Sequence, residues 1–313
     1  MCQTGTPAGE APARPTFRGV PALPRLSSLP AVPDPPPLTP RSPIGVFDSG
    51  IGGLTVARAL TRRLPNERLV YFGDTAHLPY GDKSAAAIQA YSVKISDVLL
   101  AQGCKVVLIA CNSASAAAYD LVREYVGKRA HVLSVIDPTV AHLAETYGGR
   151  RVGLIGTKQT VGSGVYARKL AERTAGRASV DLHSVATPLL APMIEEGFVD
   201  GAVGEQVVRT YLADPDLGGI DALVLACTHY PLIRETVEAY YGGADAAVTV
   251  IDPSDLVAEH VAAHLAATGL LAPPSDALPA HLFHVSDYTD AFEATTRLFF
   301  GQHVTLVPHR LWE

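Results

Sequence analysis

Two cysteines each close an apolar run and open onto small polar residues. KVVLIA leads into Cys111 and Asn112, and ALVLA leads into Cys227 and Thr228. The likeness extends beyond the thiols. RVGLIGT (151–157) restates IGVFDS (44–49), and VTVIDPSD (248–255) restates VLSVIDPT (132–139). From Cys111 to Asp137 is 26 residues, and from Cys227 to Asp252 is 25. A chain that repeats itself at this spacing is constrained to two structurally related halves.

The texture from Ile44 onward fixes what those halves are made of. IGVF (44–47) reads as a strand, DSGIGG as a loop, and LTVARALTRRL has helical spacing, with Asp48 or Ser49 expected at the helix start. RLVYFGD (68–74) is a second strand, followed by the loop TAHLPYG. Asp82 is expected to cap the next helix, in which Ile88, Tyr91, Ile95 and Val98 share a face. KVVLIA (105–110) is almost continuously apolar, as in a parallel sheet covered on both faces. Strands alternating with helices predict an α/β fold. The expected architecture is two pseudo-symmetric domains, each a mainly parallel sheet flanked by helices. One comprises 44–137 plus 252–313, the other 138–251. Ligands of parallel sheets bind beyond the carboxyl ends of the strands. Two sheets facing each other would therefore place Cys111 and Cys227 on opposite walls of one interdomain cleft.

Residues 1–43 differ in kind. They hold 12 of the 24 prolines and little apolar periodicity, so they are expected to form a disordered, proline-rich extension. They lack the apolar core of a secretory signal. A net charge of −6 disfavours a nucleic-acid partner, since neutralising phosphates needs a basic surface. No apolar run is long enough to span a bilayer, so no membrane partner is expected. Four cysteines do not make a disulfide framework, which points to the reducing cytoplasm.

Paired thiols across a cleft have three chemical readings. A disulfide needs Cα atoms within about 7 Å, which leaves no room for a ligand. A metal site would want more Cys or His at short spacing, and His229 alone is thin support. The third reading is two-base proton transfer, in which one thiolate removes a proton from carbon and the opposing thiol returns one to the other face. A free thiol titrates near pH ~8.5, so both forms are accessible. A Cys-x5-Arg phosphate loop is excluded by Ala117 and Ile233, and the glycine-rich turns GIGG and GSG complete no phosphate-binding or dinucleotide motif.

GVFDSGIGGL, YFGDTAHLPYG, ACNSASA, TPLLAPMIEEG and LACTHYPL, in that order, resemble the motifs of the glutamate racemase family. The resemblance runs from about Ile44 to about Gly301. It implies a cofactor-independent, metal-free isomerase that interconverts L- and D-glutamate and supplies D-glutamate for peptidoglycan. It also implies Cys111 and Cys227 as the proton-transferring thiols, with Asp48 supporting the first and Glu195 and His229 supporting the second. Asp48, Ser49, Tyr80, Gly81, Asn112, Ser113, Thr228 and His229 match positions that hold the substrate. Glu196, beside Glu195, is an alternative support. The resemblance is imperfect: Ser113 stands where the family has Thr, Thr187 where it often has Cys, and Asp137-Pro138-Thr139 where it has Glu-Pro-Gly. Aspartate racemase of the same superfamily and a non-catalytic binder of acidic amino acids stand as alternatives. The expected partner is a small molecule, and a homodimer is compatible with the sequence.

Overall fold

The computed structural model describes residues 37–242 and 248–312. Among the described residues ten strands carry the fold: β1 (Ile44–Asp48), β2 (Leu69–Gly73), β3 (Val106–Ile109), β4 (His131–Ser134), β5 (Arg151–Gly156), β6 (Asp181–Ala186), β7 (Ala222–Ala226), β8 (Thr249–Ile251), β9 (Leu282–Val285) and β10 (Leu306–Pro308). They form a six-stranded sheet in the order β10-β9-β2-β1-β3-β4 and a four-stranded sheet in the order β6-β5-β7-β8. Every pairing is parallel. The order β2-β1-β3-β4 in the first sheet is matched by β6-β5-β7-β8 in the second. The repeat read in the letters is thus a repeat of topology. The first sheet is longer because β9 and β10 extend it beyond β2.

The helices are α1 (Leu54–Arg63), α2 (Ala85–Ala101), α3 (Asn112–Val126), α4 (Ile136–Thr146), α5 (Lys158–Gly162), α6 (Val165–Arg173), α7 (Leu190–Glu195), α8 (Ala202–Leu212), α9 (Arg234–Tyr240), α10 (Pro253–Ala267) and α11 (Asp290–Phe300). Both faces of the first sheet are covered. Ile44, Val46, Val106 and Leu108 point into one core, while Phe47, Val107 and Ile109 point into another with Ile88, Ile95 and Leu99 of α2. Successive residues of a strand face opposite sides, so a strand covered twice must be apolar throughout. The first of these cores continues without a break through Val152, Leu154, Leu223 and Leu225 of the second sheet.

Local expectations fare unevenly. Neither Asp48 nor Ser49 caps α1, whose N-cap is Gly53. Asp48 instead reaches forward, its Oδ2 accepting the Gly53 N–H at 3.0 Å and the Gly50 N–H at 3.2 Å. It satisfies a helix-entrance donor from a distance, because the glycine-rich loop folds back over it. Asp82 does not cap α2 either. Lys83 is extended, so the helix starts later, and Ser84 takes the cap with its hydroxyl accepting the Ala87 N–H at 3.3 Å. Asp82 pairs with Lys158 at 3.1 Å. On α2, Ile88, Ile95 and Leu99 form the buried stripe, flanked by half-buried Tyr91 and Val98.

The proline-rich extension is expected to run through residue 43, yet residues 37–43 belong to the fold. Leu38 packs on the core. The Pro40 carbonyl accepts from Lys105 Nζ at 2.6 Å, and the Pro43 carbonyl accepts from the Lys105 N–H at 2.9 Å. Proline cannot donate but its carbonyl still accepts, which lets 37–43 join the fold. Residues 1–36 lie outside the described residues.

Candidate active site

Each sheet delivers its cysteine from the same place, just past the carboxyl end of its third strand. Cys111 follows β3 and is the N-cap of α3, its Sγ accepting the Ala114 N–H at 3.5 Å. Cys227 follows β7. Both are free thiols, 5 % and 7 % exposed respectively. They line one narrow cleft, together with Ser49, Tyr80, Gly81, Asn112, Ser113, Glu195, Thr228 and His229. The doubled strand-end thiols of the sequence therefore form a pair in space.

The surroundings of the two sulfurs differ. Cys111 Sγ has the Ser49 hydroxyl at 3.7 Å and Asp48 nearby. Burial pushes its thiol well above the ordinary range, and the charge of Asp48 adds to that rise. Both effects favour the thiol over the thiolate at Cys111. Asp48, fully buried, is fixed by the two glycine N–H groups and accepts from Thr228 Oγ1 at 3.4 Å. Thr228 belongs to the second half of the repeat, so this bond links the end of β1 to the Cys227 loop.

Cys227 has a histidine instead. His229 Nδ1 lies 3.6 Å from Cys227 Sγ, and His229 Nε2 lies 2.8 Å from Glu195 Oε1 at the end of α7. Burial lowers the imidazole's proton affinity, but hydrogen bonds to Cys227 and Glu195 and their charges outweigh it. His229 is held well above its usual range. Cys227, His229 and Glu195 thus make a relay in which the carboxylate orients the imidazole and the imidazole faces the sulfur. Glu196 is exposed at the C-cap of α7. Of the neighbouring pair, Glu195 reaches the site.

Polar groups close the rest of the cavity. Ser113 Oγ shares a hydrogen bond with Thr157 Oγ1 at 2.8 Å, joining the start of α3 to the N-cap of α5. Tyr166 donates to Asn112 Oδ1 at 2.7 Å, which leaves the Asn112 amide NH2 as a donor. Gly81 packs against Thr157, where a Cβ would come within 3.0 Å of the threonine Cβ. Tyr80 lines the cavity, but its hydroxyl points elsewhere, donating to the buried Asp74 at 2.5 Å. A substrate-holding role for Tyr80 therefore rests on its ring and backbone. Asp74 also accepts from Ser286 at 2.6 Å and meets His77 Nδ1 at 2.7 Å, which fixes the PYG loop to the strand end of β9.

Sequence reasoning passed over two of these residues. Thr157 was legible, because RVGLIGT aligned on IGVFDS sets Thr157 against Ser49. Asp74 stands in the quoted motif YFGDTAHLPYG, yet nothing in its spacing reveals a carboxylate that serves a tyrosine six residues on.

Two parallel sheets with a thiol from each in a shared buried cavity are the framework of a racemase. A family model described as Asp/Glu/Hydantoin racemase matches residues 50–261, and the chain belongs to that family. Similar proteins within it include glutamate racemases. One from Chlorobaculum tepidum is 41 % identical over 261 residues, covering 83 % of this chain and 93 % of the relative. The crystal structure of glutamate racemase from Francisella tularensis in complex with D-glutamate superposes with a TM-score of 0.78 at 35 % identity, covering 87 % of this chain and 99 % of that one. The Thermus thermophilus glutamate racemase in complex with beta-chloro-D-alanine gives 0.75 at 38 % identity, over 87 % and 98 % of the two chains.

Proposed function

We infer that the protein is a glutamate racemase, an isomerase that interconverts L- and D-glutamate by proton transfer at Cα between Cys111 and Cys227. The observation that carries this reading is the delivery of one buried thiol from the same point of each repeated sheet into a single polar cavity. One sulfur, as thiolate, takes the α-proton, and the Cα–H electron pair passes into the adjacent carboxylate. The other sulfur, as thiol, gives its proton to the opposite face of Cα. The product is the enantiomer, and the sulfurs have exchanged roles.

The surrounding groups meet the needs of that step. Ser49, Asn112, Ser113, Thr157 and Thr228 and the backbone of Gly81 hold the substrate's two carboxylates and its ammonium. The same donors stabilise the charge that develops at Cα. Asp48 serves the Cys111 side, and the Glu195–His229 pair serves the Cys227 side as proton carrier. The D-glutamate formed supplies peptidoglycan synthesis in the cytoplasm; no helix among the described residues is long and apolar enough to cross a membrane. Residues 44–137 with 252–313 act as one domain and 138–251 as the other, each built on one sheet.

The test is circular dichroism of L-glutamate, and separately L-aspartate, incubated with purified protein and no added cofactor. Decay of the glutamate signal to zero with aspartate unchanged is the expected result. Decay of aspartate alone would assign the other acidic amino acid, and no change in either would leave a binder without turnover.

A further inference from the structure

His229 makes two polar contacts along its ring, and two apolar surfaces hold it in place to make them. Phe299, from α11 near the carboxyl end of the chain, sets its ring perpendicular to the imidazole. The centroids are 5.3 Å apart and the interplanar angle is 83°. Phe299 is itself fully buried, so it cannot swing away. Gly52, from the loop after β1, lies against another edge of the imidazole. A Cβ at that position would fall 2.5 Å from His229 Nδ1 and 2.6 Å from Thr228 Oγ1. No residue but glycine fits there without moving the histidine or the threonine. The imidazole is thus confined between the glycine loop and α11, with Cys227 on one nitrogen and Glu195 on the other.

We propose that Phe299 and Gly52 are positioning residues for proton transfer at Cys227, acting through His229. The inference rests on the two-thiol reading above. Its physical content is a restriction of rotation. An imidazole free to turn would lose either the 3.6 Å approach to Cys227 Sγ or the 2.8 Å bond to Glu195, and the two polar contacts alone do not prevent tilting about the line joining them. Packing against Phe299 and Gly52 restricts that freedom. Cys111 has no such arrangement. Its neighbours are Ser49 and Asp48, fixed by backbone N–H groups that neither Phe299 nor Gly52 replaces. Gly53 does supply one of those N–H groups, so a Gly52 variant alone would be ambiguous, whereas Phe299 reaches the site from the opposite end of the sequence. The inference also gives the carboxyl-terminal segment a task. By extending the first sheet through β9 and β10, it seats α11 against α1, which brings position 299 to the imidazole.

The test separates positioning from general support by comparing the two directions. When only transfer at Cys227 is weakened, the α-deuterium isotope effect on kcat/KM rises for the enantiomer that Cys227 deprotonates. It falls for the other, whose slow step becomes reprotonation. General loosening moves both in the same sense or neither. For Phe299→Leu, which keeps an apolar side chain in the core, we expect a fall in kcat of about 10- to 100-fold, as a misplacement of about 1 Å can cause, with the two isotope effects moving oppositely. Gly52→Ala, whose Cβ would press on His229 and also on Thr228 Oγ1, is expected to lower kcat for both enantiomers. Phe299→Tyr, which keeps the ring, is expected to restore near wild-type isotope effects. Parallel or unchanged isotope effects in Phe299→Leu, in protein whose thermal melt shows it folded, overturn the proposal while leaving the racemase reading intact. A wild-type protein that racemises neither acidic amino acid overturns both.

Discussion

The two sulfurs share their origin in the fold and differ in what stands beside them. Burial and the Asp48 charge favour the thiol form of Cys111, while Cys227 faces an imidazole backed by a carboxylate. On the two-thiol reading proposed above, removing either sulfur removes one of two proton carriers. Cys111→Ala and Cys227→Ala are each expected to lower racemisation by at least about 10²–10⁴-fold, the usual contribution of a positioned acid or base. Coupled turnover of both enantiomers measures this, and full activity in either variant would defeat the two-base scheme. His229 also leaves a mark on stability. Its folded-state proton affinity is raised above the ordinary 6.5, so it contributes stability that is complete below that pH and is lost as pH rises toward the raised value. Thermal melts from pH ~6 upward are expected to show the midpoint falling, and falling less steeply in His229→Asn. Some alkaline decline should survive in that variant, because the buried Cys111 thiol titrates later than an unfolded one and acts in the same direction.

Among the elements, what could be read from the letters follows from how locally each feature is determined. The strands β1, β3, β5 and β7 are nearly unbroken apolar runs because both faces are covered, so they stand out. Helix starts are less legible. Asp48 and Asp82 have the right chemistry for caps, but whether a side chain meets the first turn depends on the loop path, and Gly53 and Ser84 occupy those positions. The carboxyl-terminal β9, α11 and β10 carried no readable role. Their contribution is made through contacts to residues more than 200 positions earlier, such as Ser286 to Asp74, and through Phe299 to His229. The site itself was legible where chemistry concentrates in short motifs. It was not legible where a group acts through another, as Asp74 does on Tyr80. One buried tether joins segments in the same hidden way. Lys105 Nζ donates to Glu67 Oε2 at 2.6 Å, to the Pro40 carbonyl at 2.6 Å and to the Leu270 carbonyl at 2.8 Å. Lys105→Ala strands a buried carboxylate and two carbonyls, and is expected to cost about 3–5 kcal/mol, read from chemical unfolding. A variant as stable as wild type would show that the tether is replaced by water.

Taken whole, the molecule is two sheets whose chain crosses between them twice, after β4 and after β8. Two crossings allow one sheet to move against the other. Polar bonds that span the cleft, such as Ser113 to Thr157 and Thr228 to Asp48, can be remade. Solution scattering is expected to show a smaller radius of gyration with saturating glutamate than without, as a closing cleft expels water. Identical profiles would count against that motion. The unequal support of the two thiols then meets a thermodynamic limit. Two mirror-image amino acids in water have the same free energy, so no arrangement of carboxylate, imidazole or aromatic ring can favour one at equilibrium. The ratio kcat/KM must be equal for the forward and reverse reactions. The lopsided site can still hold one enantiomer more tightly, but only by turning it over proportionally more slowly. A symmetric fold with asymmetric furnishings thus sets the concentration at which each mirror form saturates the protein, and leaves their final balance untouched.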